Sequence, residues 1–178
     1  MLVELIIAGF GGQGVMLMGQ LLTYAGMKAG REVSWIPSYG PEMRGGTANC
    51  TVVLADEEIA SPLPTEPNVI VVMNRPSLDK FAEKVKTGGK LFVNSSLVDK
   101  EVQRQDIEVI EVPANELALD LGIEKVANMV MLGAVVAKLG VVDLETVIDS
   151  LSEVLPAHRH NLLELNKKAL QQGRELII

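Results

Sequence analysis

Two hydrophobic patterns alternate along the first two thirds of the chain. Residues 2–10 are an apolar run interrupted at Glu4 and followed at once by glycines, which predicts a buried strand. Residues 13–28 place Met16, Leu17, Leu21, Tyr24 and Lys28 at helical spacing, and Gly30 follows as a natural stop, so a helix is predicted there. Further strands are expected over 31–36, 47–55, 68–73, 91–94 and 107–112, with a turn at Asp56-Glu57 and an extended connection marked by Pro62, Pro64 and Pro67. Ser77 reads as the N-cap of a helix that runs to about residue 85 and ends at Gly88-Gly89. From Asn115 the pattern is helical only, over 116–121, 125–139, 144–155 and 161–172, with Asp143 the expected N-cap of the third.

Strands alternating with helices imply a largely parallel sheet with helices on both faces, and the helical tail is expected to dock on that sheet. No repeat, low-complexity tract or linker interrupts the chain, so one α/β domain is expected over residues 1–178. The helix over 125–139 carries Ala127, Met129, Met131, Gly133, Ala134 and Ala137, small and sulfur side chains that suit either interior packing or a subunit interface.

Composition narrows the function classes. A hydrophobic content of 48% suffices for one core in 178 residues. The longest uninterrupted apolar run, 129–137, has nine residues, far short of the roughly 18 to 20 that span a bilayer. The amino terminus has no basic segment of the secretory type, and a soluble cytoplasmic protein is expected. A formal charge of −7 and a pI near 4.9 argue against a nucleic-acid partner. Cys50 is the only cysteine, which excludes an internal disulfide and an iron–sulfur cluster held by this chain alone. With so few aromatic residues, Tyr39 in a polar loop stands out.

Two loops carry the candidate chemistry. Gly9-Phe10-Gly11-Gly12-Gln13-Gly14 fits Gly-x-Gly-x-x-Gly between a predicted strand and helix, the context of a Rossmann-like fold. The acidic residue that would hold an adenosine ribose is missing, because the second strand ends Trp35-Ile36-Pro37-Ser38 and Glu32 lies at its start. No Gly-Lys-Ser/Thr ending follows either, so neither a nicotinamide site nor a Walker-type loop is complete. An anion or phosphate-containing ligand at the turn and a turn that serves only helix packing both remain open.

The second loop, Ser38-Tyr39-Gly40-Pro41-Glu42-Met43-Arg44-Gly45-Gly46-Thr47, is expected beside the first at the ligand-binding edge of the sheet. Arg44 offers a guanidinium fork for a phosphate or carboxylate, and the N–H groups of Gly45 and Gly46 could complete a cradle. Alternatively, Glu42 and Arg44 pair with each other and brace a turn. His158-Arg159-His160 lacks metal-ligand company and reads as a helix start, and Ser95-Ser96 lacks a paired histidine for nucleophilic work.

Taken together, the two loops resemble those of the gamma subunit of 2-oxoacid:ferredoxin oxidoreductases. The resemblance extends over nearly the whole chain, including Val72-Met73-Asn74 and the helical tail from Asn128 to Gly133. The Tyr-Gly-Pro-Glu-Met-Arg-Gly-Gly form is most similar to the 2-oxoglutarate branch; pyruvate-type gamma chains more often read Phe-Gly-Pro-Glu-Arg-Arg-Gly. The resemblance implies a subunit that is inactive alone and works with alpha and beta subunits, with or without delta. Those partners would hold thiamine diphosphate, magnesium and iron–sulfur clusters, coenzyme A would be the cosubstrate, and ferredoxin would take the electrons. It implies no catalytic residue here. Gly9, Gly11, Gly12, Gln13, Gly14, Ser38, Tyr39, Gly40, Pro41, Glu42, Arg44, Gly45, Gly46 and Asn74 are the candidates for binding a ligand or a partner subunit. The alternative is a stand-alone nucleotide- or phosphate-binding Rossmann-like module.

Overall fold

The computed structural model describes residues 1–38 and 47–178. Six strands form one sheet: β1 (Leu2–Gly9), β2 (Glu32–Ser38), β3 (Ala48–Ala55), β4 (Val69–Val72), β5 (Lys90–Asn94) and β6 (Glu108–Val112), in the spatial order β2-β3-β1-β4-β5-β6. The helices are α1 (Val15–Lys28), α2 (Arg75–Phe81), α3 (Ala114–Asp120), α4 (Ala127–Leu139), α5 (Leu144–Val154) and α6 (Leu163–Glu175). As expected, this is an α/β sheet whose strands point mostly one way. β1, β4, β5 and β6 pair in parallel, whereas β3 runs against both β1 and β2. The reversal follows from the short connection between β2 and β3, which has no room for the crossover helix that a parallel pair needs.

Alternate strand residues fill two cores. Leu5, Ile7, Val71 and Phe92 face α1 and the carboxyl-terminal helices, while Ile6, Ala8, Ile70 and Leu91 face Leu78 and Phe81 of α2. Full burial of each large apolar side chain contributes about 1.5–3 kcal/mol. α1 can lie close on the sheet because Gly19 and Gly26 carry no side chain. A Cβ on Gly19 would come within 2.6 Å of Cys50 Sγ, and one on Gly26 within 2.9 Å of Val33 Cγ1.

The small residues of α4 resolve in favour of the interior. Ala127 through Val136 are all buried. Gly133 of α4 lies on the carbonyl of Leu170, and Gly173 of α6 lies on the carbonyl of Val130, so the two backbones touch. Three local expectations are corrected. α1 begins at Val15, because Gly14 is left-handed (φ 74°) and leaves Gln13 in the turn. β2 continues through Pro37 to Ser38, which is possible because it is an edge strand. The cap of α2 is Asn74, whose side chain accepts from the N–H of Ser77 at 2.9 Å, and the helix stops at Phe81 before a 3-10 turn over Ala82–Lys84.

Candidate functional site

The chain leaves β1 through α1 for the outer strand β2, returns by β3, and then crosses to β4 on the other side of β1. The strand order therefore reverses between β1 and β4, and α/β sheets bind ligands in the crevice at such a point. Gly9, Ser38, Val72, Asn94 and the amino end of β3 all meet this edge. Among the sequence candidates, Gly9, Gly11, Gly12, Gln13, Gly14, Ser38 and Asn74 are at this edge or in its loops. Tyr39, Gly40, Pro41, Glu42, Arg44, Gly45 and Gly46 lie outside the described residues, between the ends of β2 and β3.

The glycines of the first loop have different tasks. Gly9 is enclosed: a Cβ there would come within 2.8 Å of both Gln13 Oε1 and Val15 Cγ1. Gly14 lies against the Asn128 amide, whose Nδ2 donates to the Gly14 carbonyl at 3.4 Å. Gly11 and Gly12 face open space with nothing within 4 Å of a Cβ position, and Gly12 alone of the two is left-handed, at φ 95°. The open pair is the part of the loop that another molecule can approach.

Gln13 does not reach outward. Its Oε1 accepts from the Phe10 N–H at 2.7 Å and from Asn74 Nδ2 at 2.8 Å, while Nε2 donates to the Met73 carbonyl at 3.2 Å. One side chain thus ties the glycine turn to the end of β4 and to the cap of α2. The same Met73 carbonyl accepts from Asn94 Nδ2 at 3.2 Å, and that nitrogen also lies 2.8 Å from Asn115 Oδ1. Asn94 Oδ1 accepts from the Ala114 N–H at 3.2 Å, and Asn115 donates to Glu124 at 2.7 Å. A ladder of amides, neutral up to its carboxylate end at Glu124, therefore holds the edge in register.

The loop separates two clefts. One, of about 250 Å³, is bounded by Gly12, Gln13, Met73, Asn115, Glu124 and Asn128. The other, of about 430 Å³, is bounded by Phe10, Gly11, Val15, Ala48, Pro156 and Arg159. Gly12 borders both, and Phe10, 41% exposed, lines the larger one. Asn94, Asn115 and Arg159 were not among the sequence candidates. Asn94 could have been found, since it ends an apolar strand as Asn74 follows one; Asn115 and Arg159 have no local signal. Arg159 sits in a 3-10 segment, Ala157–Leu162, whose His160 ring nitrogen contacts the Leu155 carbonyl at 2.9 Å.

Glu32 opens β2 at the opposite edge of the sheet, opposite Ala55, so it cannot serve a ribose at the glycine turn. Cys50 is buried, its thiol pushed up to about 12 chiefly by burial, and it lies 3.4 Å from the Val15 carbonyl. A neutral buried thiol of this kind is inert as a nucleophile or metal ligand. Among the described residues no three His, Cys, Asp or Glu side chains converge on a metal-sized space.

The fold and this edge define a Rossmann-like switch-point domain with an open glycine turn. More particularly, residues 4–176 match the family described as "Pyruvate ferredoxin/flavodoxin oxidoreductase", and the chain belongs to that family. It is 38% identical over 182 residues to the 2-oxoglutarate synthase subunit KorC of Methanothermobacter marburgensis, covering 98% of this chain and 96% of KorC. It is 39% identical over 175 residues to the ketoisovalerate oxidoreductase subunit VorA of the same organism, covering 97% of this chain but 36% of VorA. The chain thus spans about a third of the length of one relative and nearly all of the other. A solved gamma subunit of a keto/oxoacid ferredoxin oxidoreductase from Geobacter sulfurreducens superposes with a TM-score of 0.85 at 32% identity, over 98% of each chain.

Proposed function

We propose that residues 1–178 form a gamma-type subunit of a 2-oxoacid:ferredoxin oxidoreductase, inactive alone and assembled with alpha and beta subunits, with or without delta. The observation that carries this reading is the end-to-end likeness to KorC, at a length that matches in both directions. KorC is named as a subunit of 2-oxoglutarate synthase, and the Tyr39-to-Gly46 loop has the form of that branch, so 2-oxoglutarate is the proposed oxoacid. The likeness to VorA keeps ketoisovalerate as the alternative substrate.

In the assembled enzyme the partners supply thiamine diphosphate, magnesium and the iron–sulfur clusters, and ferredoxin accepts the electrons. The donor set here agrees with that division of labour, because the single thiol is buried and protonated. This chain contributes the switch-point edge. Gly11 and Gly12 admit a ligand or a partner backbone, Gln13 and Asn74 hold the turn, and Arg44 with Gly45 and Gly46 meets a phosphate of coenzyme A or a carboxylate of a partner. Arg159 and Phe10 flank the larger cleft. The compartment proposed is the cytoplasm; no helix among the described residues is long and apolar enough to cross a membrane.

Co-expression with alpha and beta subunits from the same organism tests the reading. The tagged chain is expected to copurify with them, and the complex to reduce ferredoxin in a coenzyme A- and 2-oxoacid-dependent reaction. Arg44→Ala is expected to raise the apparent KM for coenzyme A with the complex intact if Arg44 meets the phosphate, or to release the chain on gel filtration if it meets a partner. Arg44→Lys keeps the charge but loses the planar fork, so it should show much of the same loss. Wild-type behaviour of both variants in both assays contradicts a role for Arg44.

A further inference from the structure

At the amino-terminal edge of the sheet, opposite the glycine turn, a cavity of about 420 Å³ has Val3, Val69 and Leu139 among its walls, together with Lys86, Lys90 and Lys138. Among the described residues no carboxylate lines it, although the chain as a whole carries a formal charge of −7. The nearest compensation is Glu108. It lies 2.5 Å from Lys138 Nζ and 3.6 Å from Lys90 Nζ, and these two cations hold its carboxyl below the usual carboxylate range. Two lysines therefore share one carboxylate. Lys86 makes no ion pair among the described residues, so three cations face one anion at this cavity.

The wall is held in place by backbone rather than by the lysines. The turn from Lys86 to Lys90 is fixed by the Lys86 N–H on the Pro67 carbonyl at 3.0 Å, the Gly88 N–H on the Asp106 carbonyl at 2.8 Å and the Lys90 N–H on the Asn68 carbonyl at 2.9 Å. Gly89 is locked between the carbonyls of Asn68 and Lys86, each 2.7 Å from its Cβ position, and Gly88 takes φ 78°. Thr87 is already committed to Asp106 at 3.0 Å, and Arg104 neutralises that carboxylate, with Nε 2.9 Å from Oδ1. Asp106 is thereby turned to its own partners, and Glu108 is left as the carboxylate that offsets the three lysines. Lys138 stands in the last turn of α4 and offsets the partial negative charge of that helix end.

We propose that this cavity binds a compact polyanion, a di- or tricarboxylate or a phosphate ester, whose charges meet Lys86 and Lys138 and whose carbon body rests on Val69 and Leu139. It is separate from the glycine turn, which lies at the other end of the strands, and it does not depend on the subunit reading above.

The test is titration calorimetry on the full chain with citrate and with pyrophosphate, at ionic strength held constant with sodium chloride. Saturable binding of either supports the site, citrate alone pointing to a carboxylate source and pyrophosphate to a phosphate ester. Lys86→Gln is expected to weaken that binding about tenfold, as for loss of one charge-assisted contact, and Lys86→Gln with Lys138→Gln to remove it. Gly11→Val should leave it unchanged. Binding that survives both lysine substitutions, disappears in Gly11→Val, or cannot be distinguished from the effect of sodium chloride overturns the proposal.

Discussion

Neighbouring glycines in one turn make opposite predictions. Gly11 has an open Cβ position and a φ outside the left-handed region, so Gly11→Val should leave the stability of the isolated chain within about 0.5 kcal/mol. In the assembled enzyme the same change should raise the apparent KM for coenzyme A roughly tenfold, or weaken assembly, because the added side chain stands where another molecule approaches. Gly14→Ala should instead destabilise the chain itself by about 1–3 kcal/mol, since it forces a left-handed residue and drives a methyl into Asn128. Thermal unfolding of the two variants separates the roles. Gly12 is a poorer probe, because its φ of 95° strains any replacement. The sequence motif identifies the turn but does not distinguish these residues. The distinction between Gly11 and Gly14 depends on Asn128, which is distant in sequence.

Asn74 illustrates the same limit. The apolar run before it and Pro76 within the next turn are a legible helix start, but Ser77 is an equally good cap by type. Register decides: the Asn74 side chain reaches the Ser77 N–H and also Gln13, while Ser77 is already inside the helix. Asn74→Ala is expected to cost about 1–2 kcal/mol from the cap alone. It should also loosen the glycine turn, seen as faster amide exchange at Phe10, whose N–H is held by the same Gln13 oxygen.

At the scale of elements, the strands and the carboxyl-terminal helices are legible because their apolar periodicity is strong. The hairpin of β2 and β3 was obscured by a sequence that alternates strand and helix elsewhere; the clue was the short connection between them. The crossing of α4 and α6 was legible only as small residues. Gly133→Ala should destabilise by about 1–3 kcal/mol or more, because the methyl meets the Leu170 carbonyl of a backbone that cannot withdraw without separating the helices. Urea unfolding measures this.

The segment joining α2 to β6 contains a pH-sensitive tie. Arg104, first, and Thr87 hold the Asp106 carboxyl down to about 2, against an ordinary value of 3.8. The folded value is the lower one, so this pair contributes stability above about 3.8 that is lost as pH falls through about 2. Asp106 is exposed, and the contribution is small. Arg104→Ala should return the Asp106 midpoint towards 3.8, followed by carboxyl carbon NMR during an acid titration. An unmoved midpoint would mean that the guanidinium does not set it.

For the whole molecule, the sequence made the family legible through two loops in order, and the fold follows from strand and helix alternation. The amide ladder was not legible, since Asn94 and Asn115 approach each other only when β5 and α3 meet at the sheet edge. The proposed role is that of a required subunit whose glycine-turn edge serves the assembled oxidoreductase. The most direct measurement is 2-oxoglutarate- and coenzyme A-dependent ferredoxin reduction by the partner subunits purified without this chain and then supplied with it. Activity that appears on adding the wild-type chain in stoichiometric amount, and is weak at low coenzyme A with the Gly11→Val chain, is the predicted result. Full activity of the partners alone, or no association between them and this chain, would rule that role out.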